Sequence, residues 1–112
     1  MQVAMPAGEE EMAEQFYSGL LGMERVAKPS HLAARGGCWF RSGDVEVHLG
    51  VEQGFRPARK AHPALLVEGL SELRGRLEEA GVQIQDDTQL EGHDRFYAFD
   101  PFGNRLEFIA TA

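Results

Sequence analysis

The sequence predicts an α+β chain built from two βαβββ halves, on three observations: a hairpin near the C-terminus, landmarks that recur at one spacing, and two amphipathic helical stripes. Residues 96–109, FYAFDPFGNRLEFI, carry the hairpin. Its turn is Asp100-Pro101-Phe102-Gly103-Asn104, in which Pro fixes φ, Gly tolerates positive φ and Asp or Asn closes an Asx turn. Side chains alternate along a strand, so Leu106, Phe108 and Ala110 point one way and Arg105, Glu107 and Ile109 the other. Glu107 is then carried by a strand rather than a loop. The plainer alternative is a solvated polar face on an edge hairpin.

The landmarks are three pairs at a common separation of 59 residues: Gly22 and Gly81, Phe40 and Phe99, His48 and Glu107. They read as an internal repeat, in which a helix ends at Gly, a strand follows and a hairpin delivers a polar residue. His48 becomes the internal counterpart of Glu107.

Each half begins with a short apolar strand, Val3-Ala4-Met5 or Ala64-Leu65-Leu66-Val67. In the first half a helix follows, with Met12, Phe16, Leu20 and Leu21 as its stripe, Glu9, Glu10 and Glu11 at its N-terminal end and Gly22 closing it. The second helix has Leu70, Leu73, Leu77 and Ala80, a start at Gly69 or Ser71, and an end at Gly81. Pro6-Ala7-Gly8 makes the first strand-to-helix turn longer by about three residues. The halves, residues 1–53 and 61–112, are expected to share one domain, because 112 residues are too few for two independent cores.

Composition narrows the function. With 43% hydrophobic and 26% charged residues the chain is that of an ordinary globular protein, and no apolar run approaches the roughly 20 residues that span a bilayer. No signal peptide is visible, and one cysteine cannot form an internal disulfide, so a cytoplasmic location is expected. Cys38 sits in Gly37-Cys38-Trp39-Phe40 and reads as a packed small hydrophobe rather than a nucleophile. A net charge of −7 argues against nucleic acid, whose phosphates require Lys and Arg. The one basic run, Arg56-Pro57-Ala58-Arg59-Lys60, reads first as a solvated linker and second as an anion site.

Three residues have metal-ligand chemistry and strand positions: His48, His62 and Glu107. His62 opens the run His62-Pro63-Ala64-Leu65-Leu66, where a structural role is the plainer reading. Two imidazoles and a carboxylate with open positions suit a divalent first-row ion such as Zn, Ni, Mn or Fe. His31 and His93 fall in the loops 27–36 and 85–94 and read as solvated, and the pair Asp86-Asp87 is given no catalytic role.

The FYAFDPFGNRLEF run, FYSGLLGM at residues 16–23 and HPALLVEGLSELRGRLEEAGV at residues 62–82 resemble the vicinal oxygen chelate superfamily over nearly the whole chain. That superfamily includes glyoxalase I, extradiol dioxygenases, fosfomycin-resistance thiol transferases and bleomycin-resistance proteins. The resemblance implies two βαβββ modules forming a cup-shaped mixed sheet, completed in a homodimer, with a divalent metal held by His and Glu from the strands. Carried over by position, Glu107 matches the metal-binding Glu of the last strand, His62 the His that opens the second module, and His48 the ligand on the last strand of the first. Tyr97 matches a cavity-facing position that contacts substrate in the thiol transferases; a core aromatic is its other reading. The pattern departs at the first strand, where the His or Gln ligand would fall just before Met1.

Two classes of function follow. An enzyme would bind a small substrate through two adjacent oxygens on the metal, with Glu107 as the catalytic carboxylate shuttling a proton. A metal-free binding module would use Trp39, Tyr97, Phe99 and Arg41 to hold an apolar or aromatic small molecule. Lyase, dioxygenase and transferase chemistry are not separated by any loop motif.

Overall fold

Each half of the chain forms a four-stranded mixed sheet with its own helices, which is the α+β class expected. The computed structural model describes residues 1–86 and 94–111, so His93 and Asp87 lie outside the described residues. The chain divides into two units, Met1–Pro57 and Ala58–Ala112.

In the first unit β1 (Gln2–Met5) leads to α1 (Glu10–Glu14), which runs directly into a π-helical segment, Gln15–Leu20. β2 (Glu24–Val26), α2 (Ser30–Ala33), β3 (Cys38–Ser42) and β4 (Val45–Val51) complete it, in the sheet order β1-β4-β3-β2. The second unit runs β5 (Ala64–Val67), α3 (Leu70–Glu79), β6 (Ile84–Asp86), β7 (Arg95–Phe99) and β8 (Arg105–Ala110), in the order β5-β8-β7-β6. In both units the first strand pairs parallel with the last and the remaining pairs are antiparallel.

The repeat is visible in the ladders. Gln2 pairs with His48 and Ala64 with Glu107. His48 N donates to Met1 O at 2.8 Å, and Glu107 N donates to Pro63 O at 3.0 Å. His48 and Glu107 therefore occupy the same ladder position in their modules. By that register the counterpart of His62 would precede Met1. Phe99, in contrast, is not the counterpart of Phe40. Phe40 pairs with Val47 and Ala98 with Leu106, which makes Ala98 the equivalent residue. Between the equivalent pairs Ser42–Val45 and Asp100–Asn104 the second hairpin has three turn residues, 101–103, against Gly43 and Asp44, and this offsets β7 by one residue. Strand β5 starts at Ala64 rather than His62, since Pro63 has no N–H to give to a ladder.

The cores lie on the helix sides of the sheets. Val3, Met5, Phe40, Val47 and Leu49 are buried with Phe16 and Tyr17, and the Tyr17 ring stacks on Phe40 at 5.5 Å. The expected stripe is displaced here: Met12 is 42% exposed, whereas Ala13 and Tyr17 are fully buried. Ala13, Phe16 and Tyr17, at i, i+3 and i+4, form the buried stripe instead, and a π-helical turn, with Leu21 N donating to Phe16 O at 3.0 Å, follows them. In the second unit Leu73 and Leu77 are buried as expected, Ala80 is exposed, and Phe96 and Phe108 meet at 5.5 Å. Each such side chain contributes about 1.5–3 kcal/mol on burial.

The turn Asp100 to Asn104 is held by its own side chains. Asp100 Oδ1 accepts from Phe102 N at 3.0 Å and Asn104 N at 2.8 Å, while Oδ2 accepts from Asn104 Nδ2 at 3.0 Å. Asn104 Oδ1 in turn accepts from Ala58 N at 3.0 Å, and Arg105 N donates to Ala58 O at 2.8 Å. The basic segment at residues 58–60 is thereby fastened to the start of β8.

Candidate functional site

Tyr97, Glu107 and Ala64 are neighbours across β7, β8 and β5, so they share one face of the second sheet. The residues between them, Phe96, Phe108 and Leu106, are buried on the other. By the same alternation Arg95 stands beside Tyr97, and Arg105 beside Glu107. Sequence reasoning had selected Tyr97 and Glu107 from this face and passed over the two arginines.

Glu107 is the centre of the group. It is 7% exposed, its Oε1 lies 2.8 Å from His62 Nε2, and its Oε2 accepts from Arg95 Nη1 at 2.9 Å. Burial on its own would raise the Glu107 carboxyl. The hydrogen bonds from Arg95 and His62 outweigh that effect and hold it below the ordinary carboxylate value. Arg95 Nη1 also donates to Tyr97 Oη at 3.2 Å. The Tyr97 ring meets His62 edge-on, with centroids 5.2 Å apart, and carries the Arg105 guanidinium 3.8 Å above its centroid.

The imidazole of His62 is oriented by the backbone. Its Nδ1 lies 2.8 Å from Lys60 O, and a carbonyl can only accept, so the Nδ1 proton is fixed there. The Nε2 lone pair of the neutral ring then faces a carboxylate oxygen that also offers lone pairs. Something positive belongs between these two atoms: a second ring proton or a cation. A backbone carbonyl on one ring nitrogen with the other turned to a carboxylate is the arrangement of a metal-binding histidine. The donor chemistry of this pair fits a divalent ion, as two ligands of a set. Among the described residues no group of three or more His, Cys, Asp or Glu side chains comes together.

His48 belongs to the first unit and has different partners there. Its ring stacks on Trp39 with centroids 3.7 Å apart and planes at 1°, and its Nε2 lies 3.0 Å from Glu46 Oε1. A cleft of about 340 Å³ opens beside this pair, lined among others by Gln2, Lys28, Arg35, Trp39 and His48. Arg41 is exposed on the same face of that sheet, opposite Glu46 in the ladder. Phe99 is half-buried at the end of β7, opposite Arg105. Cys38 is buried on the helix side, and burial pushes its thiol up, which agrees with a packing role. Among the described residues no helix is long and apolar enough to cross a membrane.

The comparisons with known proteins agree with the fold. The profile of the glyoxalase/bleomycin resistance protein/dioxygenase superfamily matches residues 2–108. A glyoxalase family protein from Bacillus anthracis shares 48% identity at a TM-score of 0.94, with 99% of this chain and 91% of that one covered. Two more distant structures share the fold alone. One is a lactoylglutathione lyase from Agrobacterium tumefaciens, at 21% identity, TM-score 0.68 and coverage of 98% and 91%. The other is a fosfomycin resistance protein from Listeria monocytogenes, at 12% identity, TM-score 0.76 and coverage of 100% and 90%. No curated protein matches the sequence. A profile match over almost the entire length, joined to two four-stranded mixed sheets of the same build, means that the chain belongs to the glyoxalase/bleomycin resistance protein/dioxygenase superfamily.

Proposed function

We propose that this protein is a metal-dependent enzyme acting on a small oxygen-bearing molecule, with its chemistry centred on Glu107. One observation carries the reading: His62 Nε2 and Glu107 Oε1 face each other at 2.8 Å with Nδ1 already committed to Lys60 O, an arrangement that calls for a ring proton or a cation between them. His62 and Glu107 would hold the ion, and His48, at the equivalent ladder position of the first module, is the third candidate ligand. A bound divalent ion would supply Lewis-acid polarisation of adjacent substrate oxygens. The chain supplies the rest. Arg95 fixes Glu107 Oε2 and helps to keep the carboxyl ionised, the state able to take a proton from substrate and return it. Tyr97 gives the face an aromatic wall, and Trp39, Phe99 and Arg41 are the further substrate-binding candidates. We also propose a homodimer, which light scattering at micromolar concentration checks: a monomer mass would exclude it.

A second reading, a metal-free protein that sequesters a small molecule, has its own support. Arg95 already neutralises Glu107, and no third His, Cys, Asp or Glu joins the pair among the described residues. Metal analysis of protein purified without a metal-affinity tag separates the two. On the first reading, added Zn, Ni, Mn or Fe raises the Tm, chelator lowers it, and Glu107→Gln abolishes the response; an ion at 100 times its Kd adds about 2.7 kcal/mol. A Tm indifferent to both metal and chelator selects the second.

A further inference from the structure

We infer that the ligand of the Glu107 face carries an anionic group, a carboxylate or phosphate, and that Arg105 is the residue that recognises it. The inference rests on the reading that this face is the ligand site, and adds the substrate class. Arg105 lies on the Glu107 face of β8, with its guanidinium stacked 3.8 Å above the centre of the Tyr97 ring. The stack holds the guanidinium plane in one place, so little freedom is left to lose on binding. Its Nη1 donates to Arg59 O at 3.3 Å, whereas its Nε is buried without a hydrogen-bond partner among the described residues. An unmet buried guanidinium N–H is unfavourable, and the edge that carries Nε is the side-on fork that fits the two oxygens of a carboxylate or phosphate.

The surroundings have the matching charge. Asn104 Oδ1 and Arg105 N hold Ala58, Arg105 Nη1 reaches Arg59 O, and His62 Nδ1 faces Lys60 O, so the segment 58–62 runs alongside this group. Arg95 on the Glu107 carboxylate and Arg105 over the Tyr97 ring set two guanidinium groups on this face, and Arg59 and Lys60 lie on the exposed segment beside it, in a chain whose net charge is −7. Such a local surplus of positive charge attracts an anion and repels a cation of similar size. The basic run that composition leaves as a linker thereby acquires a role.

Isothermal titration with benzoate, its neutral isostere benzamide and inorganic phosphate tests this. Benzoate should bind at least 10-fold more tightly than benzamide, and Arg105→Gln should remove that preference, with Arg105→Lys retaining part of it. If phosphate binds and benzoate does not, the anionic group is a phosphate; the reverse result makes it a carboxylate. Should Arg105→Gln fail to fold by circular dichroism, Arg59→Gln, at an exposed site, should still weaken anion binding 2- to 3-fold. Equal binding of benzoate and benzamide, no saturable binding of any probe, or anion binding untouched by Arg105→Gln overturns the inference. The thermal response to metal is read in the same samples. Its loss in the wild type sinks the metal-dependent reading alone, while its retention in Arg105→Gln shows that anion recognition has been removed separately.

Discussion

His62 Nε2 stands 2.8 Å from Glu107 Oε1, and Arg95 Nη1 stands 2.9 Å from the other oxygen of the same carboxylate. One buried acid is thus shared by two bases on a single sheet face. Its lowered carboxyl value follows from those two partners overcoming burial. Which base dominates the stability of the pair can be separated by substitution.

Glu107→Gln keeps an oxygen for Arg95 and removes the charge. A hydrogen bond to a charged group contributes about 1.5–3 kcal/mol, so the variant should lose roughly that much in urea denaturation. Glu107→Ala, which leaves the Arg95 charge buried without its carboxylate, should lose more. If Gln and Ala were equally harmless, the ion pair would have no part in holding β7 against β8.

Asp100→Ala tests the hairpin turn in the same way. Asp100 is 4% exposed and its carboxylate receives three hydrogen bonds, from Phe102 N, Asn104 N and Asn104 Nδ2. Its removal strands buried donors, with an expected loss of about 2–3 kcal/mol. The damage should spread to the segment at residues 58–60, because Asn104 Oδ1 would no longer be aligned on Ala58 N. Faster hydrogen exchange at Ala58 checks that link; unchanged protection there would break it.

These two sites mark how far the sequence could be read. The Asp-Pro-Phe-Gly-Asn turn and the alternation along β8 depend on local chemistry, and the sequence reading of both agrees with the structure. Arg95 and Arg105 fall on the Glu107 face by that same alternation, so the signal for them was available and unused. The docking of residues 58–62 beside that face was not legible, because it depends on long-range bonds such as Ala58 N to Asn104 Oδ1 and Arg105 N to Ala58 O. The buried phase of the first helix was hidden for another reason. Ala13, Phe16 and Tyr17 satisfy a period of 3.6 as well as Met12, Phe16 and Leu20 do, so the period alone does not choose between the two phases. The one-residue mismatch of Phe99 with Phe40 follows from turn length rather than composition.

Cys38 gives a prediction in pH. Burial raises its thiol above the ordinary value, partly opposed by Arg25. A raised folded pKa means that the native state holds its proton more tightly than the unfolded chain does. The associated stability is therefore intact below the unfolded thiol's value of about 8.5 and is lost as pH rises through the folded value. Native protein at pH 8 should react with a thiol reagent far more slowly than denatured protein. Cys38→Ser should flatten the part of the stability decline above pH 8.5 that the thiol causes. Equal labelling rates in native and unfolded protein would falsify the buried placement.

Gly37 and Gly43 provide a matched pair on either side of β3. Both have positive φ, +83° and +58°, so alanine is strained at each by about 1 kcal/mol. Their surroundings differ. A Cβ on Gly37 would lie 2.1 Å from Leu49 O, which is backbone in β4, whereas nothing lies within 4 Å of a Cβ on Gly43. The first clash can be relieved only by moving β4 away from the strand entry, with the ladder pair Cys38–Leu49 and the neighbouring Trp39–His48 pair disturbed together. Gly37→Ala should thus lose at least about 3 kcal/mol, from strain and overpacking combined, and Gly43→Ala about 1 kcal/mol. Because the Trp39 and His48 rings are stacked, Trp39 fluorescence should change in folded Gly37→Ala and stay constant in Gly43→Ala. Equal stability loss in the two variants, measured by urea denaturation, would show that β3 does not approach β4 as closely as 2.1 Å requires.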